Sequence, residues 1–194
     1  MKDDELITVW CAAGRQAYPH GTVCRLLMLT GQRVGEIANL QRPWINEKER
    51  LITLPEWLTK NSKAHVFPYG ELVAELLDEI PRRNDTELLF PCRISTERPI
   101  SGWSKFKEGL EDGVPGWRLH DLRRTYRSIH GQIGTPSAIA ERLINHAAAV
   151  QTDVEEIYDR WHYIPQMQKA VEAFEEHFRS LLKKADSRSN MFAA

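Results

Sequence analysis

The chain has 194 residues, enough for one domain with a substantial core, and 42% of them are hydrophobic. Its 26 lysines and arginines are offset by 27 acidic residues, so the net charge of −1 excludes a general basic surface, and any binding of anions must depend on local clusters of positive charge. No stretch approaches eighteen consecutive apolar residues, so the sequence predicts no membrane span.

The beginning of the chain predicts three helices. Asp3 and Asp4 are placed to cap the first, which reads DELITVWCAAGRQA. The next, VCRLLMLTG, is apolar on most sides and stops at Gly31, a residue type that commonly ends helices. A short helical run, QRVGEIANL, follows.

A small antiparallel sheet is predicted next. In PWINEKERLITLP, two short apolar runs flank the polar residues NEKE, a pattern typical of a hairpin. AHVFPY is a possible third strand, reached through the polar connection EWLTKNSK. The helix GELVAELLDEI then ends before Pro81.

The second half of the chain predicts a loop-rich stretch, PRRNDTELLFPCRISTERPIS, and then helices almost to the end. Thr135 is placed to cap the helix TPSAIAERLIN, with Pro136 at its first position. A short helix, DVEEIYDRW, and a separate long amphipathic helix, YIPQMQKAVEAFEEHFRSLLKKA, close the chain. The predicted fold is mainly α with a small antiparallel β-sheet (α+β), in one domain over residues 1–182 with a polar C-terminal tail at 183–194.

One predicted helix concentrates positive charge. The stretch WRLHDLRRTYRSIHG, residues 117–131, holds four arginines and two histidines. His120 and Arg123 are three residues apart and share a helix face, and Arg127 lies one turn further on. Arginine pairs well with phosphate oxygens, but the stretch taken alone fits a surface helix with ordinary ion pairs equally well.

Four other short motifs carry residues of the same chemical kind. Arg33 follows the glycine break in TGQRVGEIANL, with Glu36 three residues later, and Lys60 lies in LTKNSKAHVFPY between the predicted strands. His146 follows a helix in LINH, and Tyr158 comes twelve residues after it in IYDR.

The order Arg, Lys, His-x-x-Arg, His, Tyr resembles that of the tyrosine recombinases, the phage-integrase family, and it is most similar to integrases of prophages and genomic islands. The resemblance covers about residues 6–180 and implies the catalytic-domain fold of that family. It identifies as catalytic residues Arg33, Lys60, His120, Arg123, His146 and the nucleophile Tyr158, with Glu36 in a supporting role. Arg124, Arg127 and Lys63 are expected to contact DNA.

The sequence departs from the family pattern in two places. Asn145 stands where a glycine usually precedes the second histidine, and the stretch from His146 to Tyr158 is a few residues longer than usual. The second departure leaves Tyr163 open as an alternative nucleophile. Similarly, Lys63 is an alternative for the role of Lys60.

The resemblance implies cleavage and rejoining of DNA through a covalent 3′-phosphotyrosine, with no metal and no cofactor. Arg33 and Arg123 are expected to hold the non-bridging phosphate oxygens as negative charge develops on them. His120 is a candidate acceptor for the tyrosine proton, and Lys60 a candidate donor to the leaving 5′ oxygen. His146 is expected to hydrogen-bond the same phosphate.

The implied partners are double-stranded DNA attachment sites and three further copies of the protein, in a homotetramer with possible exchange of C-terminal segments. We expect a cytoplasmic protein, encoded by a bacterium or a phage, that has no membrane partner. The DNA-clamping and arm-binding domains that the family carries before its catalytic domain are expected to be absent from this chain. We therefore expect weak DNA binding that falls steeply with salt.

Three other functions remain open from the sequence. A type IB topoisomerase-like enzyme has the same fold, and it relaxes DNA without recombining it. A non-catalytic DNA-binding remnant keeps the fold without the chemistry. A helical scaffold with no role in nucleic-acid chemistry predicts no DNA binding at all.

Overall fold

The computed structural model describes residues 1–110, 113–146 and 153–192, with the backbone alone at 153–162 and 188–192. This part of the chain is mainly helical with two small antiparallel sheets, which confirms the predicted fold class. Its helices are α1 (Asp3–Arg15), α2 (His20–Thr30), α3 (Val34–Ala38), α4 (Glu71–Asp78), α5 (Trp103–Glu108), α6 (Leu119–Gln132), α7 (Ser137–Leu143) and α8 (Asp153–Phe192). Its strands are β1 (Ile45–Asn46), β2 (Leu51–Leu54), β3 (His65–Pro68), β4 (Pro91–Cys92) and β5 (Ser95–Pro99).

Helix α2 lies at the centre of the core and contacts α1, α3, α4 and α6. A helix that is apolar all round is buried on most sides, and the second half of α2 is buried at every residue. It ends as predicted at Gly31, whose φ of +63° places it in the left-handed region. Because α2 ends here, Arg33 lies two residues further on, in the short connection to α3.

The three-stranded sheet has the order β1-β2-β3. It is antiparallel throughout, which confirms the predicted small antiparallel sheet, and β3 lies in AHVFPY, the possible third strand. Ile52 and Phe67 face each other across β2 and β3, and both are buried on the side that meets the helices. Strand β3 packs against α8. The connection between β2 and β3, residues 55–64, carries Lys60.

A second hairpin, formed by β4 and β5, lies in the stretch that the sequence predicts to be loop, so that prediction was wrong. Pro91 pairs with Pro99 in its register. Prolines are tolerated in such edge strands, because the missing N–H leaves no gap in a larger ladder. The hairpin forms because the buried residues Phe90 and Ile100 bring its ends together, with a backbone hydrogen bond of 2.8 Å between them.

Helix α8 is continuous, whereas the sequence predicts two helices with a break near Tyr163. Pro165 lies inside it. An interior proline usually costs about 3 kcal/mol. The apolar face that follows the proline is buried in the core and favours the single helix through Met167, Ala170, Val171, Phe174, Phe178 and Leu181. The helix also continues through residues 183–192 of the predicted tail.

Two predicted helix caps were wrong. Asp3 and Asp4 lie inside the first turn of α1, and the capping carboxylate is that of Glu5, which accepts a 2.8 Å hydrogen bond from the backbone N–H of Lys2. The hydroxyl of Thr135 does not cap α7, because it is 2.9 Å from His130 Nδ1 at the end of α6.

Helix α8 is joined to the start of α4 by a buried carboxylate. Both oxygens of Glu175 accept the backbone N–H of Leu72 at 3.1 Å. A Cβ at position 70 would lie 2.3 Å from the Glu175 carboxyl carbon, so Gly70 permits the approach. Burial raises the pKa of Glu175, although the backbone hydrogen bonds oppose that effect. The contact fixes the middle of α8 against the sheet side of the molecule.

Within the described ranges, no helix is both long enough and apolar enough to cross a membrane.

Candidate active site

Arg33 lies at the N-terminus of α3, in an extended backbone conformation between two helices. Its Nη1 donates a 2.7 Å hydrogen bond to Glu36 Oε1, and its backbone N–H donates a 2.8 Å bond to Glu36 Oε2. The Glu36 side chain is 2% exposed and that of Arg33 is 25% exposed. Glu36 therefore orients Arg33 from inside the protein and leaves part of the guanidinium at the surface.

Arg123 lies on α6 and is buried, with only 6% of its surface exposed. Its Nη1 donates to the carbonyl of Gly31 at 2.8 Å, and its Nη2 donates to the carbonyl of Ile144. A guanidinium has five N–H donors, so these two bonds do not exhaust it. Burial, and then the nearby charge of Arg33, lower the pKa of Arg123 to about 10, so it stays cationic at neutral pH.

His120 lies in the first turn of α6 and is exposed. Its pKa is lowered first by partial burial and then by the positive charges of Arg123, Arg124 and Arg33. The structure thus brings Arg33, His120 and Arg123 within electrostatic range of one another. The neutral imidazole that this cationic surrounding favours is the form that can accept a proton.

The last turn of α7 ends in a Schellman motif, in which hydrogen bonds fold the chain back at a left-handed residue. The N–H of His146 donates to the carbonyl of Glu141 at 2.9 Å, and the N–H of Asn145 donates to that of Arg142 at 3.0 Å. Asn145 has a φ of +50°. Glycine and asparagine are the residues that enter this region most readily, which explains how Asn145 replaces the family's usual glycine.

The segment 143–146, called here the α7 end, receives hydrogen bonds from several distant elements. Gln32 Nε2 donates to the Leu143 carbonyl at 2.8 Å, and His65 Nε2 lies 3.2 Å from the same oxygen. Arg123 bonds the next carbonyl. The last carbonyls of a helix have no partner within it, and here side chains from α6, β3 and the α2–α3 connection satisfy them.

His146 is the exposed member of the α7 end, with 70% of its side chain accessible. Its Nδ1 lies 2.6 Å from Glu141 Oε2. Glu141 is not among the residues that the sequence motifs indicate. Glu141 lies five residues before His146. This spacing predicts a contact only if the helix is known to end at Asn145, because the left-handed residue there turns the chain back and places His146 beside the last turn of α7.

Arg127 was expected to contact DNA, and in the structure its guanidinium has protein partners. Its Nε donates to Glu141 Oε1 at 2.6 Å, and its Nη2 donates to Ser137 Oγ at 2.8 Å. Arg124, the other arginine expected to contact DNA, forms a 2.9 Å ion pair with Asp121, and 73% of its side chain is exposed. The two arginines therefore differ, since only Arg124 extends from the surface.

Lys60 is exposed in the β2–β3 connection. Side-chain hydrogen bonds from Thr59 and Asn61 help to hold this loop. Thr59 Oγ1 donates to the carbonyl of Lys63 at 2.6 Å, and Asn61 Nδ2 donates to Asn145 Oδ1 at 3.0 Å. The second contact brings the residue next to Lys60 onto the α7 end, so the lysine loop and the His146 segment lie on the same side of the molecule.

Tyr158 lies in the first turns of α8, and its side chain is outside the described residues. The alternative nucleophile, Tyr163, is partly buried against the core. The guanidinium of Arg142 lies over its ring, 3.8 Å from the centroid. The ring of Tyr163 is therefore held against α7 as the partner of a cation.

Of the residues that the structure describes, no three or more His, Cys, Asp or Glu side chains are grouped in a way that could hold a metal ion. The described side chains of this site that can interact with an anion include the guanidiniums of Arg33 and Arg123 and the imidazoles of His120 and His146.

Comparison with known proteins gives the same family as the motifs. The sequence pattern of the Phage integrase family matches residues 3–163. Prophage integrase IntZ of Escherichia coli (strain K12) is 27% identical over an alignment of 168 residues, which covers 83% of this chain and 40% of that protein. The chain thus spans less than half the length of this curated relative.

Solved structures of integrases and recombinases share the fold. The integrase from mycobacterium phage Brujita superposes with a TM-score of 0.64 at 20% identity, covering 89% of this chain and 56% of its own. Lambda integrase, residues 75–356, in a dimer bound to a COC′ core site, gives a TM-score of 0.60 at 17% identity, covering 79% and 59%. The XerA recombinase gives 0.59 at 19% identity, covering 82% and 62%.

Proposed function

The chain belongs to the phage integrase family, and from that membership we propose that residues 1–182 form the catalytic domain of a site-specific tyrosine recombinase. In this proposal the protein cuts and rejoins DNA during integration or excision of a mobile element. The observation that carries the proposal is the electrostatic grouping of Arg33, His120 and Arg123 beside the α7 end. Glu36 orients Arg33, and the carbonyls of Gly31 and Ile144 orient Arg123. Isolated surface cations do not require such buried hydrogen-bond partners.

Arg33 and Arg123 bind the non-bridging oxygens of the scissile phosphate in the proposed mechanism. The two guanidiniums come from distant parts of the chain and repel each other, and this repulsion adds to burial in lowering the pKa of Arg123. A bound phosphate relieves that repulsion. The relief grows as charge develops in the transition state, and removal of one such donor typically lowers a rate by about 10²–10³-fold.

Tyr158 is the proposed nucleophile, on the strength of its IYDR motif. Its hydroxyl attacks the phosphorus and forms a 3′-phosphotyrosine, while the bond to the 5′ oxygen breaks. A tyrosine hydroxyl, with an ordinary pKa of about 10, needs a base, and His120 is the proposed acceptor of its proton. Lys60 then protonates the leaving 5′ oxygen, and His146 donates a hydrogen bond to the phosphate. Reversal of these steps with a new 5′ hydroxyl reseals the DNA.

The proposed partners are double-stranded attachment sites, with four copies of the protein acting together. A solved lambda integrase tetramer bound to a Holliday junction has the same fold as this chain, at 17% identity and a TM-score of 0.60. Arg124 and Lys63 are proposed to contact the DNA backbone, and exchange of C-terminal segments between copies remains part of the proposal. A cytoplasmic location follows from this activity on DNA.

A covalent-trapping assay tests the function. Wild-type protein, Tyr158→Phe and Tyr163→Phe are each incubated at low salt with a nicked suicide duplex that carries the attachment sequence of the protein's own element. Low salt is needed because a chain with a net charge of −1 neutralises few phosphates. Denaturing gels then report the covalent protein–DNA band.

We expect the band from wild type and from Tyr163→Phe, and none from Tyr158→Phe. Loss of the band in Tyr163→Phe alone would keep the reaction and reassign the nucleophile. A wild-type protein that binds the duplex and forms no adduct would contradict the proposed function. Relaxation of a supercoiled plasmid without any attachment site would instead indicate a topoisomerase.

A further inference from the structure

Glu141 holds His146 at two places. Its backbone carbonyl accepts the N–H of His146 at 2.9 Å, and its Oε2 lies 2.6 Å from the ring Nδ1. Glu141 is itself held from the other side, where Oε1 accepts Arg127 Nε at 2.6 Å. Each carboxylate oxygen therefore has one cationic or polarised N–H partner, at the short distances typical of charge-assisted hydrogen bonds.

We propose that Glu141 is a positioning residue, which accepts the Nδ1–H of His146 and so aims Nε2 at the scissile phosphate, to which the doubly protonated ring donates a hydrogen bond. This inference rests on the proposed function, because it assigns Glu141 a task in the same reaction. It also gives Arg127 a task different from the DNA contact expected from the sequence.

The charge state of Glu141 supports the assignment. Burial acts to raise the pKa of this carboxyl, but hydrogen bonds and positive charge from Arg127 and His146 outweigh burial and hold the pKa below its ordinary value. An ionised carboxylate only accepts hydrogen bonds. Nδ1 of His146 must therefore be the donor in that contact. Nε2 is the ring nitrogen left for a substrate, and it donates to a phosphate oxygen when the ring carries both protons.

Arg127 acts in this arrangement as the support of Glu141. Its two bonds, to Glu141 on α7 and to Ser137 at the start of α7, tie that short helix to α6. Arg123, which bonds the carbonyl next to the Asn145–His146 pair, is on the same helix. Helix α6 thus supplies one cation to the phosphate and another to the carboxylate that orients a second phosphate ligand.

In metal sites, carboxylate–histidine pairs set the tautomer and orientation of the ring, and loss of the carboxylate typically lowers metal affinity or activity by about 10- to 100-fold. We expect a loss of similar size here. Without Glu141, the His146 ring keeps only its backbone anchor. The 70% exposed side chain can then turn in solvent, so that Nε2 no longer faces the phosphate.

The first test measures the ring and needs no DNA. Nitrogen NMR of ¹⁵N-histidine-labelled protein, recorded at mildly alkaline pH where an ordinary histidine is neutral, reports which ring nitrogen carries the proton. The His146 signals are assigned by their loss in His146→Gln. We expect Nδ1–H in wild type and in Ser137→Ala, which removes only the other partner of Arg127, and a shift toward Nε2–H in Glu141→Ala. Unchanged ring signals in Glu141→Ala would overturn the inference.

The second test is the rate of adduct formation on the suicide duplex. We expect Glu141→Ala to be about 10- to 100-fold slower than wild type, and Ser137→Ala to match wild type. Glu141→Gln, which has one acceptor oxygen for two donors, is expected to be intermediate. It carries the test if thermal unfolding shows that the alanine variant is not folded.

The two proposals fail in different ways. A wild-type rate in Glu141→Ala, with the adduct still lost in Tyr158→Phe, overturns the positioning role and leaves the recombinase function intact. A wild-type protein that binds the duplex without forming an adduct counts against the function, and the ring signals then decide whether Glu141 orients His146.

Discussion

The α7 end and the β2–β3 connection carry one proposed phosphate ligand and one proposed proton donor, and they are held in very different ways. The α7 end receives side-chain hydrogen bonds from α6, β3 and the α2–α3 connection, and its backbone closes on itself. The β2–β3 connection is tied to that end through the Asn61–Asn145 amide pair, and Lys60 beside it is exposed.

The difference separates two catalytic requirements. Groups that stabilise the developing charge on a phosphate must be in position before the reaction. If they had to reorganise during it, the free energy of reorganisation would offset the stabilisation of the transition state. A group that donates a proton to a leaving oxygen needs to be within hydrogen-bond distance of that oxygen only when the bond to phosphorus breaks. The proposed phosphate ligands, called here the fixed side of the site, are therefore held by the core, and the proposed proton donor is carried by a surface loop.

The largest expected effect is on the rate of adduct formation, and it comes from a substitution at Arg123 on the fixed side of the site. Arg123→Lys keeps the positive charge, but a single ammonium cannot reproduce the fork that joins the Gly31 and Ile144 carbonyls. We expect adduct formation to fall by about 10²–10³-fold. Arg179→Lys, in an exposed ion pair with Glu75 far along α8, is the matched control. A rate near wild type in Arg123→Lys would show that the charge alone matters.

Acid should lower the free energy of unfolding through His130, which is completely buried near the end of α6, where the chain turns toward α7. Burial lowers its pKa to about 4, so the folded protein keeps it neutral while the unfolded chain takes up a proton below about pH 6.5. The associated stability is present above pH 6.5 and is lost as the pH falls toward 4. The two pKa values correspond to about 3 kcal/mol.

Urea unfolding at several pH values measures this effect. We expect His130→Leu to have a flatter pH dependence than wild type between pH 6.5 and 4, whatever its absolute stability. His20→Gln, at a partly exposed histidine, should keep the wild-type slope. Parallel slopes for wild type and His130→Leu would rule out His130 as the cause of acid sensitivity.

A smaller effect is expected where the two regions meet, at Asn145. Asn145→Ala forces a Cβ without a compensating polar group into the left-handed region and should lower the free energy of unfolding by about 1 kcal/mol. Asn145→Gly accepts the backbone conformation and should stay close to wild type. Denaturant midpoints check this order, and equal stability of the two variants would show that the left-handed conformation carries no strain for alanine.

The smallest effect on stability is expected in the β2–β3 connection. Asn61→Ala removes the amide pair and should leave global stability nearly unchanged, while trypsin cleavage after Lys60 or Lys63 becomes several-fold faster. Asn46→Ala, which removes a similar exposed amide contact in the β1–β2 turn, is the control. A cleavage rate equal to that of wild type would mean that the loop is held by other contacts.

The sequence predicted the helices of the core and a small antiparallel sheet, because apolar periodicity and Gly31 are local signals. It also predicted Arg33, His120, Arg123 and His146 from their flanking motifs. The structure groups the first three electrostatically and links His146 to them through the α7 end.

What the sequence could not provide depends on long-range packing. The continuity of α8 through Pro165 is decided by the buried face that follows the proline, and the β4–β5 hairpin by contacts between Phe90 and Ile100. The role of Glu141 could not be predicted, since a glutamate on a helix face is ordinarily a solvated residue. Only the reversal of the chain at Asn145 brings His146 back to it.

The paired amides of Asn61 and Asn145 have an evolutionary consequence. Because position 145 is left-handed, substitution there is restricted mainly to glycine and asparagine, and only asparagine offers a partner to position 61. In an alignment of relatives, asparagine at 145 should therefore occur together with an amide side chain at 61, whereas glycine at 145 should leave position 61 to vary. The two positions, 84 residues apart in the chain, would thus change as a pair.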